Sequence, residues 1–155
     1  MNYDKITKAS EAYLALNNAE QLEFQKQIAP RKIGYDDLTV IYRTEQRTKN
    51  PSEVRKDLYL VIRHTLRGLR EEAKQEFAKD QFSSQAKLAS DHLAKFEGKA
   101  KYMLGFRMEK IMKMAIRSAM GDAVDISRLT DEEVDAFNWT AEMLKKRPIK
   151  QMGVE

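Results

Sequence analysis

Apolar side chains recur every three or four residues over long stretches of this chain, and this spacing constrains its fold more than any other feature. One stripe consists of Leu58, Ile62, Leu66, Leu69, Ala73 and Phe77, and a longer one runs from Ala86 to Ala115. Such spacing is the period of an α-helix with one buried face, whereas a half-buried strand alternates every two residues. The sequence therefore predicts an all-α fold, a helical bundle with one long central helix.

The scarcity of turn-forming residues supports this prediction. The chain has 155 residues but only 3 prolines and 6 glycines. A many-stranded sandwich or barrel needs a turn about every 8–12 residues. We therefore expect a helical domain at residues 34–147, preceded by a helical extension at 1–33 and followed by a tail at 148–155.

Two capping signals delimit the longest helices. Residues 50–53 (Asn-Pro-Ser-Glu) combine a capping side chain with proline at the first helical position, and they predict a helix from 51 to about 79. Ser83 and Ser84 are suitable caps for the central helix. Gly121 is a suitable end for it, because glycine adopts positive φ without penalty.

Shorter helices are expected on both sides of these two. Thr130 and Glu133 form a capping box that begins a helix, and Pro148 ends it. A helix from Tyr35 to about Thr48 precedes the long pair, and two short amphipathic helices are expected within residues 3–29.

Two glycines interrupt the apolar stripe of the central helix. Gly98 and Gly105 each cost about 1 kcal/mol relative to alanine in a helix interior. They therefore mark either a close contact with another helix or a bend. The stripe is also wide near residues 111–116, which indicates a helix that is buried on several sides or shared within an oligomer.

Basic residues concentrate on the central helix. Between Lys95 and Arg117 there are seven cations and two acids, although the net charge of the whole chain is only +4. Such a cluster either attracts phosphates or forms a solvated helix face. The candidate nucleic-acid contacts are Lys99, Lys101, Lys113 and Arg117.

Catalytic and metal-binding motifs are absent from the sequence. There is no cysteine, and the two histidines, His64 and His92, lie within predicted helices without a recognisable partner. We predict no enzymatic activity, no metal and no cofactor; an enzyme that uses His64 or His92 is the alternative. No signal peptide and no apolar run of about 20 residues occurs, which predicts a soluble cytoplasmic protein.

One segment of the chain resembles a known family. The stretch 101–115 contains Arg107, Lys110 and Ile111 in an Arg-x-x-Lys-Ile pattern, and residues 129–133 read Leu-Thr-Asp-Glu-Glu. This order resembles the helical domain of the GINS proteins, in which a long helix with that pattern is followed by a short loop and by Leu-(Ser/Thr)-x-Glu-Glu.

The upstream order is similar to the same family. Residues 35–45, which end in Arg-Thr-Glu, resemble the first short helix of GINS, and residues 66–77 resemble its second helix. The resemblance thus covers about 35–146. In the archaeal subclass with the helical domain first, a small β domain follows, and residues 148–155 are too few to form one.

The resemblance implies a scaffold. GINS proteins form tetramers through their helical domains and, with MCM and a RecJ-like partner, make up the replicative helicase without catalysing a reaction themselves. We therefore expect a nucleoid-associated subunit that links MCM and a RecJ-like protein in a homo- or hetero-tetramer, with at most weak DNA contact. The predicted subunit-interface residues are Met103, Arg107, Lys110, Ile111, Met114 and Ala115.

Arg107 and Lys110 are expected to pair with acids on a neighbouring helix or subunit. The alternative function is that of an independent helical nucleic-acid-binding protein that uses the basic helix face.

Overall fold

Four α-helices make up the part of the chain that the structure describes. The chain divides into two units, Met1–Arg31 and Lys32–Glu155, and the computed structural model describes residues 32–146. The helices are α1 (Tyr35–Arg47), α2 (Leu58–Lys79), α3 (Ser84–Ala119) and α4 (Asp131–Lys146). Residues 32–146 contain no strand, so the predicted all-α bundle with a long central helix is confirmed. The helices predicted within 3–29 and the tail at 148–155 lie outside the described residues.

The long helix α3 is the centre of the bundle, and α1, α2 and α4 each pack against it. A short turn at residues 80–83 joins α2 to α3, so these two helices are antiparallel. The helix α4 runs in the same direction as α3, because its Glu133 contacts Arg107 and its Thr140 contacts Met112. Burial of α3 on several sides, one of the two predicted explanations for its wide apolar stripe, is therefore confirmed.

Two apolar clusters lie along α3. The cluster on its first half joins α1 and α2, and it consists of Ile33, Leu38, Leu58, Val61, Ile62, Phe96, Ala100 and Met103. The cluster on its second half joins α4, and it consists of Ile111, Met114, Ala115, Leu129, Phe137 and Ala141. Full burial of one large aliphatic or aromatic side chain contributes about 1.5–3 kcal/mol. Arg107 lies on α3 between Met103 of the first cluster and Ile111 of the second, so it separates the two apolar clusters.

Three of the predicted capping signals are confirmed. The Ser83 hydroxyl accepts a hydrogen bond from the Ala86 N–H at 3.0 Å at the start of α3, and Gly121 follows its end with a φ of 101°. At the start of α4, the Glu133 N–H donates to the Thr130 hydroxyl at 3.3 Å, and the Thr130 N–H donates to the Glu133 carboxylate at 3.0 Å. These contacts satisfy backbone donors that a helix start otherwise leaves unpaired.

The capping signal at residues 50–53 is wrong. The helix predicted from residue 51 begins at Leu58, and residues 51–55 are not helical. The Ser52 N–H and hydroxyl both donate to the Glu45 carboxylate, and the Ser52 carbonyl accepts from Arg107. Because buried ionic groups bind the backbone here, tertiary contacts override the local preference for a helix start.

The two glycines within α3 do not mark close packing. A Cβ atom added to Gly98 or Gly105 meets no other atom within 4 Å. The interpretation of these glycines as close helix contacts is therefore wrong for the described residues. Across residues 32–146, none of the helices combines the length and the apolar character that crossing a lipid bilayer requires.

Candidate functional site

A completely buried arginine lies at the centre of the fold. Arg107 on α3 has a relative exposure of 0%. Its Nε and Nη2 atoms donate to the two carboxylate oxygens of Glu133, both at 2.9 Å. This two-bond arrangement matches the planar guanidinium to the planar carboxylate, so it fixes the position of α4 on α3 as well as neutralising the charge.

The remaining side of the same guanidinium contacts α1 and the segment that follows it. Its Nη1 atom donates to the Glu45 carboxylate at 2.6 Å and to the Ser52 carbonyl at 2.8 Å. Arg107 thus joins the end of α1, the segment before α2 and the start of α4. One side chain therefore holds residues that lie 26, 55 and 62 positions away from it in the sequence.

A second cation completes the arrangement. Lys110 lies one turn after Arg107 on α3, and its ammonium donates to the Glu45 carboxylate and to the Glu45 carbonyl, both at 2.6 Å. It also donates to the Thr48 hydroxyl at 3.1 Å. We call Glu45, Arg107, Lys110 and Glu133 the ion cluster; its two cations and two anions give a formal charge of zero.

The charges of the ion cluster stabilise one another's ionised forms. Burial alone raises the pKa of a carboxyl group, but hydrogen bonds from Lys110 and Ser52 and the charge of Arg107 outweigh burial, so the pKa of Glu45 lies below its ordinary value. Burial likewise disfavours the charged form of Arg107, yet bonds to Glu133 and attraction to Glu45 raise its pKa. Both groups therefore stay charged in the folded protein at neutral pH.

Tyr59 borders the ion cluster. Its hydroxyl is buried and has no hydrogen-bond partner among the described residues. Burial, and next the negative charge of Glu133, raises the pKa of Tyr59. The phenol therefore stays neutral at physiological pH.

The ion cluster is suited to holding helices together and not to catalysis. Arg107, Glu45 and Glu133 are inaccessible to solvent, and their charges are already paired with each other and with Lys110. A catalytic acid or base must instead reach a substrate proton. Among residues 32–146, no group of acidic or histidine side chains is arranged to hold a metal ion.

The predicted subunit-interface residues lie inside the chain's own fold. Five of the six are buried by α1, α2 and α4, namely Met103, Arg107, Ile111, Met114 and Ala115. The sixth, Lys110, keeps 13% of its side-chain surface and binds Glu45. These side chains are core residues and are not available to another subunit. The pairing predicted for Arg107 and Lys110 with acids on neighbouring helices is confirmed.

A groove opens beside the ion cluster, between the end of α1 and the second half of α3. It has a volume of about 740 Å³, and a second depression of about 350 Å³ shares Asn50, Met114 and Arg117 with it. The cations that line the two are Lys49, Lys110, Lys113, Arg117 and Arg128, and the acids are Glu45, Glu109 and Asp125. We call this surface the basic groove, because its lining carries more positive than negative charge.

The structure separates the four candidate nucleic-acid contacts. Lys113 and Arg117 line the basic groove. Lys99 lies above the Tyr42 ring, with its ammonium 4.3 Å from the ring centroid. Lys101 follows Lys99 by two residues, so helical geometry places it about 200° around α3, on the opposite side. Lys99, Lys113 and Arg117 therefore share one face of α3, and Lys101 lies outside it.

Several residues of the ion cluster and its surroundings could not be identified from the sequence. Glu45 and Ser52 gave no signal of a buried contact with Arg107, because they lie 62 and 55 residues away from it. A usable signal was the position of Arg107 itself, four residues after Met103 and four before Ile111 on the apolar stripe. Of the two histidines, His64 is half-buried on α2 and His92 is exposed on α3.

Comparison with protein-family models, curated proteins and solved structures yields no match to this chain.

Proposed function

We propose that this chain is a non-catalytic scaffold subunit of a GINS-like complex in DNA replication, in which it links the MCM helicase to a RecJ-like partner. One observation supports the proposal most strongly. Three of the four segments that carry the resemblance to GINS meet at Arg107, which lies in 101–115 and contacts Glu45 of the first segment and Glu133 of the last. Residues matched only by order along the chain thus form one contact network.

The ion cluster favours one fixed arrangement of the helices, as a scaffold requires. A buried ion pair contributes little net stability, because desolvation offsets most of the attraction. It does penalise arrangements in which a charge is left unpaired. Arg107 therefore favours one relative arrangement of α1, α3 and α4, and a subunit that binds several proteins at once needs such a fixed surface.

The surface for a neighbouring subunit lies on α3 and α4. The Thr140 hydroxyl contacts the Met112 sulfur at 3.5 Å, which is where these helices approach each other. One turn further along, each helix carries an exposed apolar side chain, Ile116 at 47% and Met143 at 44% exposure, and Trp139 beside Met143 is 67% exposed. We call Ile116, Trp139 and Met143 the α3–α4 patch. Exposed aromatic and methionine side chains are typical of interface centres.

The assembly is tested by light scattering on the tagged chain isolated from its native host. We expect a particle of at least twice the 18.0 kDa chain mass. The variant Trp139→Lys/Met143→Lys should shift to the mass of one chain, because two buried ammonium groups disrupt an apolar interface. The matched control is Phe77→Lys/Phe82→Lys, which changes two exposed apolar residues at the turn between α2 and α3 and should keep the larger mass.

A wild-type chain that elutes as a folded species of 18.0 kDa would contradict the proposal. Equal loss of assembly in both double variants would exclude the α3–α4 patch as the specific contact.

A further inference from the structure

A second exposed surface combines cations with aromatic rings. Along α3, Lys99, Tyr102, Phe106, Lys113 and Arg117 follow one another at spacings of three, four, seven and four residues. Spacings of this kind place side chains on one face of a helix. The face extends about 27 Å from Lys99 to Arg117, and its second half is the wall of the basic groove.

The cations on this face are free to exchange partners. The side chains of Lys113 and Arg117 are 71% and 54% exposed, and their carboxylate partners, Glu109 at 3.1 Å and Asp122 at 3.4 Å, are exposed as well. Solvent-exposed ion pairs contribute only about 0–1 kcal/mol. A phosphate can therefore replace these carboxylates at little cost, and Lys49 on the opposite wall forms no ion pair with any described residue.

One aromatic ring on this face is exposed to solvent, and another is held in place by a neighbouring ring. Tyr102 is 64% exposed. Phe106 lines the groove one turn later and packs on Tyr42, with the ring centroids 5.7 Å apart. The Lys99 ammonium lies above the Tyr42 ring of this pair. Two aromatic rings, Tyr102 and Phe106, therefore lie along this face between Lys99 at one end and Lys113 and Arg117 at the other.

We propose that this face of α3 binds single-stranded nucleic acid, with Lys113 and Arg117 contacting phosphates and Tyr102 stacking on a base. Single-strand binding without sequence preference combines a positive groove along the backbone with aromatic rings that stack on unpaired bases. A duplex offers phosphates but hides its base faces, and an acidic peptide leaves Tyr102 without a partner. This site is independent of the α3–α4 patch and goes beyond the proposed scaffold function.

Fluorescence anisotropy of the full chain with a labelled 20-nucleotide oligo(dT) tests the site. We expect Lys113→Gln/Arg117→Gln to weaken binding by roughly tenfold, and to lower the slope of log K against log salt by about 1.4, because each lost contact with a single strand removes about 0.7. Tyr102→Ala should weaken binding about tenfold through the lost stack, with circular dichroism to confirm the fold.

The matched control is Lys87→Gln/Lys101→Gln. It removes the same charge from exposed positions of α3 that lie outside the proposed face. Lys101 lies on the opposite side of the helix, and Lys87 lies about 18 Å before Lys99 along its axis. Binding by this control should stay within about twofold of wild type, because neither lysine faces the groove.

Three results would overturn the proposal. The first is no binding of oligo(dT) at low salt. The second is equal weakening of binding by Lys113→Gln/Arg117→Gln and by the control Lys87→Gln/Lys101→Gln, which would indicate attraction by net charge alone. The third is equal affinity for oligo(dT), duplex DNA and a glutamate-rich peptide, with no effect of Tyr102→Ala.

Discussion

At the scale of single residues, Arg107 decides how the helices meet. It is inaccessible to solvent and binds Glu45, Glu133 and the Ser52 carbonyl. The pairing of Arg107 and Lys110 with nearby acids was expected from the resemblance to GINS, because the two residues match the charged positions of that pattern. The identity of Glu45 as the shared acid could not be predicted, because nothing local connects residues so far apart in sequence.

Removing the central cation should be strongly destabilising. We expect Arg107→Met to lower the free energy of unfolding by about 3–5 kcal/mol, because it leaves two carboxylates facing an apolar side chain. The triple variant Glu45→Leu/Arg107→Met/Glu133→Leu should recover part of that loss, since it removes the three fully buried charges and leaves only Lys110, whose side chain keeps 13% of its surface exposed. Urea titration measures both values. A triple variant less stable than Arg107→Met alone would contradict this account.

The ion cluster also predicts how stability depends on pH. The pKa of Glu45 is lowered in the folded chain from an ordinary value of 4.5. Below pH 4.5 the Glu45 carboxylate is protonated in the unfolded chain before it is protonated in the folded chain. The stability that ionised Glu45 contributes is therefore fully present above pH 4.5 and falls as the pH approaches its lower pKa in the folded chain.

The variant Glu45→Gln isolates this contribution. At pH 7 it should be less stable than wild type, because Arg107 and Lys110 lose a charged partner. Its stability should then fall less steeply below pH 4.5. The measurement is urea unfolding at several pH values between neutral and acid. Parallel pH profiles for wild type and variant would show that Glu45 does not carry the effect.

At the scale of elements, capping chemistry predicted boundaries where the signal was purely local. Ser83, Gly121 and Thr130 hold the positions that the sequence indicated. The signal at residues 50–53 failed, because Ser52 is engaged by Glu45 and Arg107. A local pattern carries no information about a buried charge that arrives from another helix.

The glycines of α3 give a prediction at the same scale. Gly98→Ala and Gly105→Ala should each raise the free energy of unfolding by about 0.5–1 kcal/mol, because alanine restricts the unfolded chain and the added methyl meets open space. Gly121→Ala is the contrasting variant and should be destabilising, since its φ of 101° strains any side chain. Thermal unfolding measures all three. Destabilisation by Gly98→Ala or Gly105→Ala would contradict the open surroundings of these positions.

At the scale of the whole molecule, the sequence predicted the fold class and the dominance of one long helix but not the packing directions. The connection at residues 120–130 carries the chain back along α3, so that α4 starts beside Arg107 and runs parallel to α3. Lys56 supports this return by donating to the Leu129 carbonyl at 2.6 Å. No periodicity in α4 indicates its direction, because an apolar stripe packs equally well in either sense.

The same limit explains the interface prediction. Apolar positions on α3 were identified correctly as packed, but periodicity does not reveal whether the covering helix belongs to the same chain or to another. In this fold α1, α2 and α4 cover them. The apolar side chains that stay exposed, such as Ile116 and Trp139, lie outside the buried faces of α3 and α4.

The composition of the native complex tests the proposed scaffold role most directly. A tagged chain is recovered from native lysate under mild conditions, and its partners are identified by mass spectrometry, with Trp139→Lys/Met143→Lys as the matched variant. We predict recovery of an MCM or RecJ-like protein with the wild-type chain and its loss with the variant. Recovery of the chain alone, or with ribosomal or metabolic proteins only, would contradict the account.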